Sequence, residues 1–276
     1  MSVGYLLGTH HDELRRLGTQ HRVWAEVTAA GWRRAGFGVG QTLLDLGCGP
    51  GLTSIDLAHR VGPRGRIIAV DESSCHLDVL TERARQEHVA NIHTVCCDVA
   101  AYTPEVGSLD GAYARWIFSS LHDVEGVLSR VAAGLRPGSV LAVLDYFNYR
   151  SMTFAPRSAT MELVTRALEA SWREAGGDLN IQGRLPQLAR HCGLELASVE
   201  VHAAVARPGE PLWAWPKSFF RSHVPRLVRQ GHLTKADADA FFFEWRQHED
   251  REDGFLQLPP LYEVIVRRPP RGRHSA

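Results

Sequence analysis

Apolar positions along this chain recur at two periods, and the alternation between them lays out the fold. From about Thr9 to Arg34 the spacing of Leu14, Leu17, Val23, Trp24 and Val27 predicts an arginine-rich amphipathic helix. "GFGVGQ" breaks it. "TLLDL" follows as a short continuous apolar run, the pattern of a strand buried on both faces. "LTSIDLAHRVG" returns to helical period and stops at Gly62, "GRIIAVD" predicts the next buried strand, and "CHLDVLTERARQEHV" the next helix. "NIHTVCCD" and "SLDGAYAR" predict two more strands. "DVEGVLSRVAAGLRPG" is a helix closed by glycine and proline, and "SVLAVLDYF" a fifth strand.

Strands and helices alternating at short intervals from Gln41 to Tyr146 predict an α/β, doubly wound, mostly parallel sheet with right-handed crossovers. The rhythm then changes. "ATMELVTRALEASWREAGG" and "QGRLPQLARHCG" predict helices, "LELASVEVHAAVA" a strand, and Pro208 to Pro260 reads as helical and rich in aromatics. "LYEVIVRRP" closes the pattern as a last strand. The expected organisation is an N-terminal helical segment over 1–40, an α/β core over 41–150 and the rest of the core over 151–268. Helical lid insertions fall at about 151–178 and 207–258, and a disordered tail at 269–276.

Composition narrows the classes. The 276 residues are 44% hydrophobic and 22% charged, ordinary for a folded soluble chain. The formal net charge is zero, which argues against a general electrostatic grip on nucleic acid or anionic lipid. No run approaches the roughly 20 apolar residues of a membrane span. Five cysteines form neither a disulfide framework nor a C-x-x-C pair, so a reducing, cytoplasmic setting is expected. His10 and His11 would point apart on a helix, and no metal site is expected.

Candidate chemistry starts at "LLDLGCGPG", where Gly47, Gly49 and Gly51 crowd one turn between strand and helix. Such a turn brings backbone N–H groups and a helix N-terminus to a ligand at the carboxyl edge of the sheet. The spacing is G-x-G-x-G, with Leu52 where the dinucleotide fingerprint has its third glycine. Asp71 ends the second strand about 20 residues on, where a carboxylate can accept both hydroxyls of a ribose. "DESS" also suits a helix cap, and both roles can hold together. Asp98, ending the third strand, could receive the exocyclic amine of an adenine, or sit in an ordinary surface loop. With no lysine in the turn for phosphates, an adenosine with little or no phosphate is indicated, and Asp45, under the turn, suits a cation.

The motifs "LLDLGCGPG", "IIAVDES", "VCCDV" and "ARWIFSSLHD", in this order and at these separations, resemble those of the class I S-adenosylmethionine-dependent methyltransferases. The resemblance runs from Tyr5 to about Arg268. It implies a Rossmann-like seven-stranded sheet with an antiparallel last strand. It also implies S-adenosyl-L-methionine as cofactor, S-adenosyl-L-homocysteine as product, and a small metabolite as methyl acceptor. Gly47, Gly49 and Gly51 would let the methionine part lie against the backbone, with Cys48 between them as a small side chain. Asp45 would favour the ammonium, Asp71 with Glu72 beside it the ribose, and Asp98 with Val99 the adenine. Arg115 would lie near the methionine carboxylate. Tyr5 and Gln20 would contribute from the N-terminal segment.

The acceptor is expected above the ends of the fourth and fifth strands, near Trp116, His122, Tyr146 and Tyr149. His122 is the candidate base, although a residue beside Asp123 at a helix start can simply cap. Tyr146 could orient a substrate. Aromatics between Trp213 and Trp245 fall on helical patterns and predict a lid over a small apolar or aromatic acceptor, with Trp213, Arg221, His223 and His202 as candidate contacts. "RWIF" departs from the Asn-Pro-Pro-Tyr-like signature of enzymes that methylate nucleobase amines. Exposed lid aromatics could pair two chains. An NAD-binding oxidoreductase on a similar sheet, and a non-catalytic S-adenosylmethionine-binding protein, are the alternatives.

Overall fold

The computed structural model describes residues 11–270. Tyr5 and the end of the tail lie outside the described residues. The predicted first helix is two: α1 (His11–Val23) and α2 (Ala25–Arg34). They break at Trp24, whose φ of −110° and ψ of 9° turn the chain. The turn aims the buried indole edge-on at Trp215, 5.5 Å between ring centroids.

The core follows as expected: β1 (Thr42–Leu46), α3 (Leu52–Val61), β2 (Arg66–Asp71), α4 (Ser74–Gln86), β3 (Ile92–Cys96), β4 (Leu109–Arg115), α5 (Val124–Gly134) and β5 (Leu135–Tyr146). Then come β6 (Thr153–Ala155), α6 (Ala159–Glu174), α7 (Leu185–His191), β7 (Glu195–His202), β8 (Val205–Ala206), α8 (Pro211–Arg229), α9 (Lys235–Glu249), β9 (Phe255–Gln257) and β10 (Leu261–Arg267). The main sheet has seven strands in the order β3-β2-β1-β4-β5-β10-β7, and β10 runs antiparallel to both its neighbours. Strand order reverses between β1 and β4, which opens a crevice at their carboxyl ends. Continuous apolar runs in the central strands are buried on both faces: Leu43 and Leu44 in β1, and Leu141 to Leu144 in β5, are at most 0% exposed.

Two expectations are corrected. "LELASVEVHAAVA" is not one strand: β7 stays in the main sheet, while β8 joins a second sheet in the order β6-β9-β8. β9 lies inside the stretch read as wholly helical. Strands of two or three residues carry no legible alternation; they exist because Phe154 and Ala206 both pair with Leu256, and all three are fully buried.

The lid helices pack into an aromatic core of their own. On α8, Trp213, Phe220, Val224 and Leu227 face inward, with Phe220 5.1 Å from Phe241 and Trp213 5.2 Å from Trp245. Of the lid aromatics, Phe243 and Phe255 are exposed. Among the described residues, no helix is long and apolar enough to cross a membrane.

Candidate active site

One cavity opens above the crevice, and it has two unlike halves. Gln20, Asp45, Gly47, Cys48, Gly49, Thr53, Asp71 and Arg115 line one end; Trp116, Tyr146, Tyr149, Met152, Trp172, Trp215, Phe219 and Leu258 line the other, with Arg16 near enough to Tyr146 for its charge to act on that phenol.

At the polar end the three glycines divide their work. All are left-handed, with φ of 64°, 53° and 76° for Gly47, Gly49 and Gly51. A Cβ on Gly47 would lie 2.7 Å from Ile117, and one on Gly51 2.1 Å from Leu80, so these two make room for the protein's own side chains. A Cβ on Gly49 would meet nothing within 4 Å. Gly49 alone presents main chain to open space.

Asp71 ties the turn together. Its Oδ2 accepts the Gly49 N–H at 2.8 Å and its Oδ1 the Ser73 N–H at 2.9 Å. A carboxylate has about four acceptor sites, so each oxygen retains capacity for a further donor. Ser73 itself caps α4, its hydroxyl accepting from the His76 N–H.

Asp45 is 1% exposed and accepts from Thr53 Oγ1 at 2.9 Å and Ser54 Oγ at 2.6 Å. Burial pushes its carboxyl up to about 6, against the pull of those two hydroxyls. Arg115 reaches the same end from β4. Burial draws its guanidinium down from the ordinary value, and the charges of Arg115 and Asp45 act on each other. Cys48 is buried, and desolvation, then Asp45, push its thiol up, so it stays protonated and unreactive. Gln20 is buried at the cavity and accepts from Arg16 Nη1 at 2.9 Å.

Glu72, Asp98 and Val99 are not walls of the cavity. Glu72 and Asp98 are exposed, Val99 is buried, and Asp98 Oδ1 accepts the Ala100 N–H at 2.8 Å. They sit at the ends of β2 and β3, near enough that Asp98 and Asp71, after burial, raise the Glu72 carboxyl.

At the aromatic end, Trp116 has φ of 55°, a genuine outlier for a bulky residue that costs on the order of 1–3 kcal/mol. Its N–H donates to the Leu144 carbonyl at 3.0 Å and its ring packs against Trp215 and Tyr146. Tyr146 and Tyr149 meet edge-to-face at 5.1 Å, and burial pushes both phenols up.

Several expected contacts lie elsewhere. His122 is exposed, its ring laid over Gly176, and Asp123 rather than His122 caps α5. Trp213 points into the lid core, where its Nε1–H donates to Glu249 Oε1 at 3.1 Å. Arg221 is exposed on the outer side of α8, because residue 221 is two positions from the cavity-facing Phe219 and the helix turns about 100° per residue. His223 is buried and stacked on Phe219 at 3.9 Å; burial pulls its imidazole down to about 3, and it is not itself a wall. His202 lies in a groove beside α1 and α2.

Of the wall residues, Met152 and Leu258 were not read from the sequence, and Trp172, Trp215 and Phe219 were read only as part of the lid, since an aromatic pattern does not say which face of a helix meets a cavity. Asp145 was also missed. It is fully buried, pushed up to about 6 by that burial, and accepts the Ser119 and Tyr146 N–H groups at 2.9 Å each. It fixes the loop whose Ser119 and Ser120 reach the cavity. An acid closing a strand, in "VLDY", was the available signal. Among the described residues no group of three or more His, Cys, Asp or Glu could hold a metal ion.

Comparison with known proteins agrees with this geometry. Residues 43–138, from β1 into β5, match the family model described as a methyltransferase domain. The 2-phytyl-1,4-naphtoquinone methyltransferase of Trichormus variabilis is 31% identical over 136 residues, 49% of this chain and 58% of that protein. The trans-aconitate 2-methyltransferase of Paracidovorax citrulli is 34% identical over 137 residues, 49% of this chain and 48% of that protein. The chain thus spans about half the length of these curated relatives. Geranyl diphosphate C-methyltransferase from Streptomyces coelicolor A3(2) superposes with a TM-score of 0.56 over 97% of this chain and 90% of that one, at 15% identity, a likeness of fold. The matched segment is a methyltransferase domain, and the fold is one shared with solved methyltransferases. The resemblance carried by the motifs is borne out.

Proposed function

We propose that the protein transfers a methyl group from S-adenosylmethionine to a small aromatic or apolar metabolite. The observation that carries this is the two-ended cavity. Asp45 and Arg115 together form the complement of an α-amino acid zwitterion. Gly49 offers open main chain, and Asp71 beside it has acceptor capacity for two ribose hydroxyls. When bound, S-adenosylmethionine supplies an electrophilic methyl group on a good leaving group.

The chain's own task is then positioning and exclusion of water, which supplies roughly 7–11 kcal/mol of barrier reduction in favourable cases. Trp116, Trp215, Phe219 and Met152 wall the acceptor against solvent. Tyr146 and Tyr149 hold their protons at Oη, because burial raises both, so they orient an acceptor by hydrogen bonding and do not deprotonate it. His122, set outside the cavity, has no part in this scheme. A naphthoquinone-type ring matches these walls. A polycarboxylate such as trans-aconitate does not, since the one cation among the lining residues besides Arg115 is Arg16, already paired with Glu13 at 2.5 Å. The acceptor atom stays open among carbon, nitrogen and oxygen.

Calorimetric titration with S-adenosylmethionine, S-adenosylhomocysteine and NAD tests the cofactor: heat is expected from the first two and none from NAD. Tritiated methyl transfer into a panel of extracted metabolites tests turnover, with label expected in small aromatic or apolar compounds. Cofactor heat without any transferred label would leave a non-catalytic binding protein.

Affinity should also depend on pH. Asp45, held near 6 and so above its unfolded value of about 3.8, is protonated in the fold between these values and ionised above 6. Its attraction for an ammonium is present above pH 6 and lost below it, by about tenfold per pH unit. Calorimetry from pH 5 to 7.5 should show this fall, and Asp45→Asn should flatten it. An equally steep fall in the variant would remove Asp45 as the cause.

A further inference from the structure

His21, on α1, was not among the sequence candidates, yet it stands beside the Arg115 guanidinium, which lines the polar end of the cavity. Arg115 Nη1 donates to Thr28 Oγ1 at 3.2 Å, and its Nη2 lies 3.2 Å from His21 Nδ1. The guanidinium carbon is 5.0 Å from the centroid of the Trp116 ring. A guanidinium can only donate, so Nδ1 accepts and carries no proton. The imidazole proton is therefore on Nε2, which lies 3.1 Å from Asp56 Oδ2. A line of polar contacts, a hydrogen bond from Arg115 to His21 and a 3.1 Å approach of His21 Nε2 to Asp56 Oδ2, thus joins β4, α1 and α3, the last being the helix that starts at the glycine turn.

We propose that His21 is a positioning residue: with its Nδ1 accepting from Arg115 and its Nε2 turned to Asp56, it holds the Arg115 guanidinium turned toward the carboxylate of the cofactor's methionine part. This rests on the cofactor proposed above. An arginine side chain has several rotatable bonds and loses much freedom when held. Thr28 and the Trp116 ring restrain it from two sides, and His21 Nδ1 supplies the third. A neutral acceptor is required there. A second positive charge would repel the guanidinium, and a group with no lone pair would leave Nη2 without its partner. Because His21 belongs to α1, the cofactor's carboxylate end is assembled only when the N-terminal helix is docked. Asp56 is 45% exposed, so its contribution to this arrangement is the smaller one.

The test compares two probes by calorimetry: S-adenosylhomocysteine, which has the amino-acid part, and 5′-methylthioadenosine, which lacks it. His21→Ala should raise the dissociation constant of S-adenosylhomocysteine about tenfold, the size of one charge-assisted contact, and leave that of methylthioadenosine within about twofold. His21→Gln, whose Oε1 can accept from Arg115 while its amide donates to Asp56, should recover most of the loss. Asp56→Ala, at a half-exposed site, should show a weaker loss of about threefold with the same selectivity. Equal loss for both probes, or none for either, in a folded His21→Ala or Asp56→Ala protein would overturn the proposal. Wild-type protein that binds neither probe would instead remove the cofactor assignment beneath it.

Discussion

Asp71→Ala is expected to weaken S-adenosylmethionine binding by about a hundredfold, the effect of two hydrogen bonds to a charged group at roughly 1.4 kcal/mol each. The same substitution has a structural cost. It strips acceptors from the Gly49 and Ser73 N–H groups, 2.8 and 2.9 Å away in the native protein, and a buried amide without a partner costs about 1–3 kcal/mol. The variant should therefore unfold at lower denaturant concentration as well as bind less. The two effects separate with Asp71→Asn, which keeps one acceptor oxygen, and by comparing affinity at temperatures where each protein is folded. An unaltered dissociation constant in folded Asp71→Ala protein would dismiss the ribose site.

The glycine turn yields the second large effect, and it divides between neighbouring positions. Gly51→Ala should destabilise the fold by about 2–5 kcal/mol, combining left-handed backbone strain with overpacking. The new Cβ would lie 2.1 Å from Leu80 Cδ1, and Leu80 is fully buried on α4, with nowhere to retreat. Gly49→Ala, at φ of 53° and with nothing within 4 Å, should cost only about 1 kcal/mol of backbone strain. Its methyl group would project into the cavity, so the loss should appear as weakened cofactor binding. Chemical denaturation and calorimetry on both variants check the split. If Gly49→Ala binds normally, the cofactor does not lie against this main chain.

That split shows why the three glycines could not be ranked from the sequence. Spacing announces a tight strand-to-helix turn, but φ and the identity of what each Cβ would strike depend on Ile117 and Leu80, which arrive from distant segments. Asp45 and Asp71 were legible for the opposite reason, and Arg115 through the resemblance of its motif. Each sits at or near the end of a strand whose apolar run marks it plainly, and parallel strands in register bring their carboxyl ends to one edge. Asp45 pairs with Ala69 and with Tyr113, so its neighbours follow from strand order alone.

The acceptor half was hardly legible. Trp213 and Trp215 differ by two positions on α8, about 200° around the helix, and the pattern gave no ground for choosing between them. Packing chose: Trp213 lies against Phe154 and Trp245, and Trp215 against Trp24 and Trp116. His122 looked well placed because it closely follows β4, yet the chain turns through Phe118–Ser120 and carries it out over Gly176.

The sequence by itself determined the alternating α/β core and the acids at the strand ends, because these rest on local periodicity and on spacing along one edge; the count of seven strands and the antiparallel last one were implied by the resemblance of its motifs. Only the tertiary structure decided which aromatics wall the cavity, that β6, β8 and β9 form a second sheet, and that His21 meets Arg115. Those are contacts between segments far apart in the chain, and they depend on the angle at which each helix docks. Neither the period nor the composition of a helix records that angle.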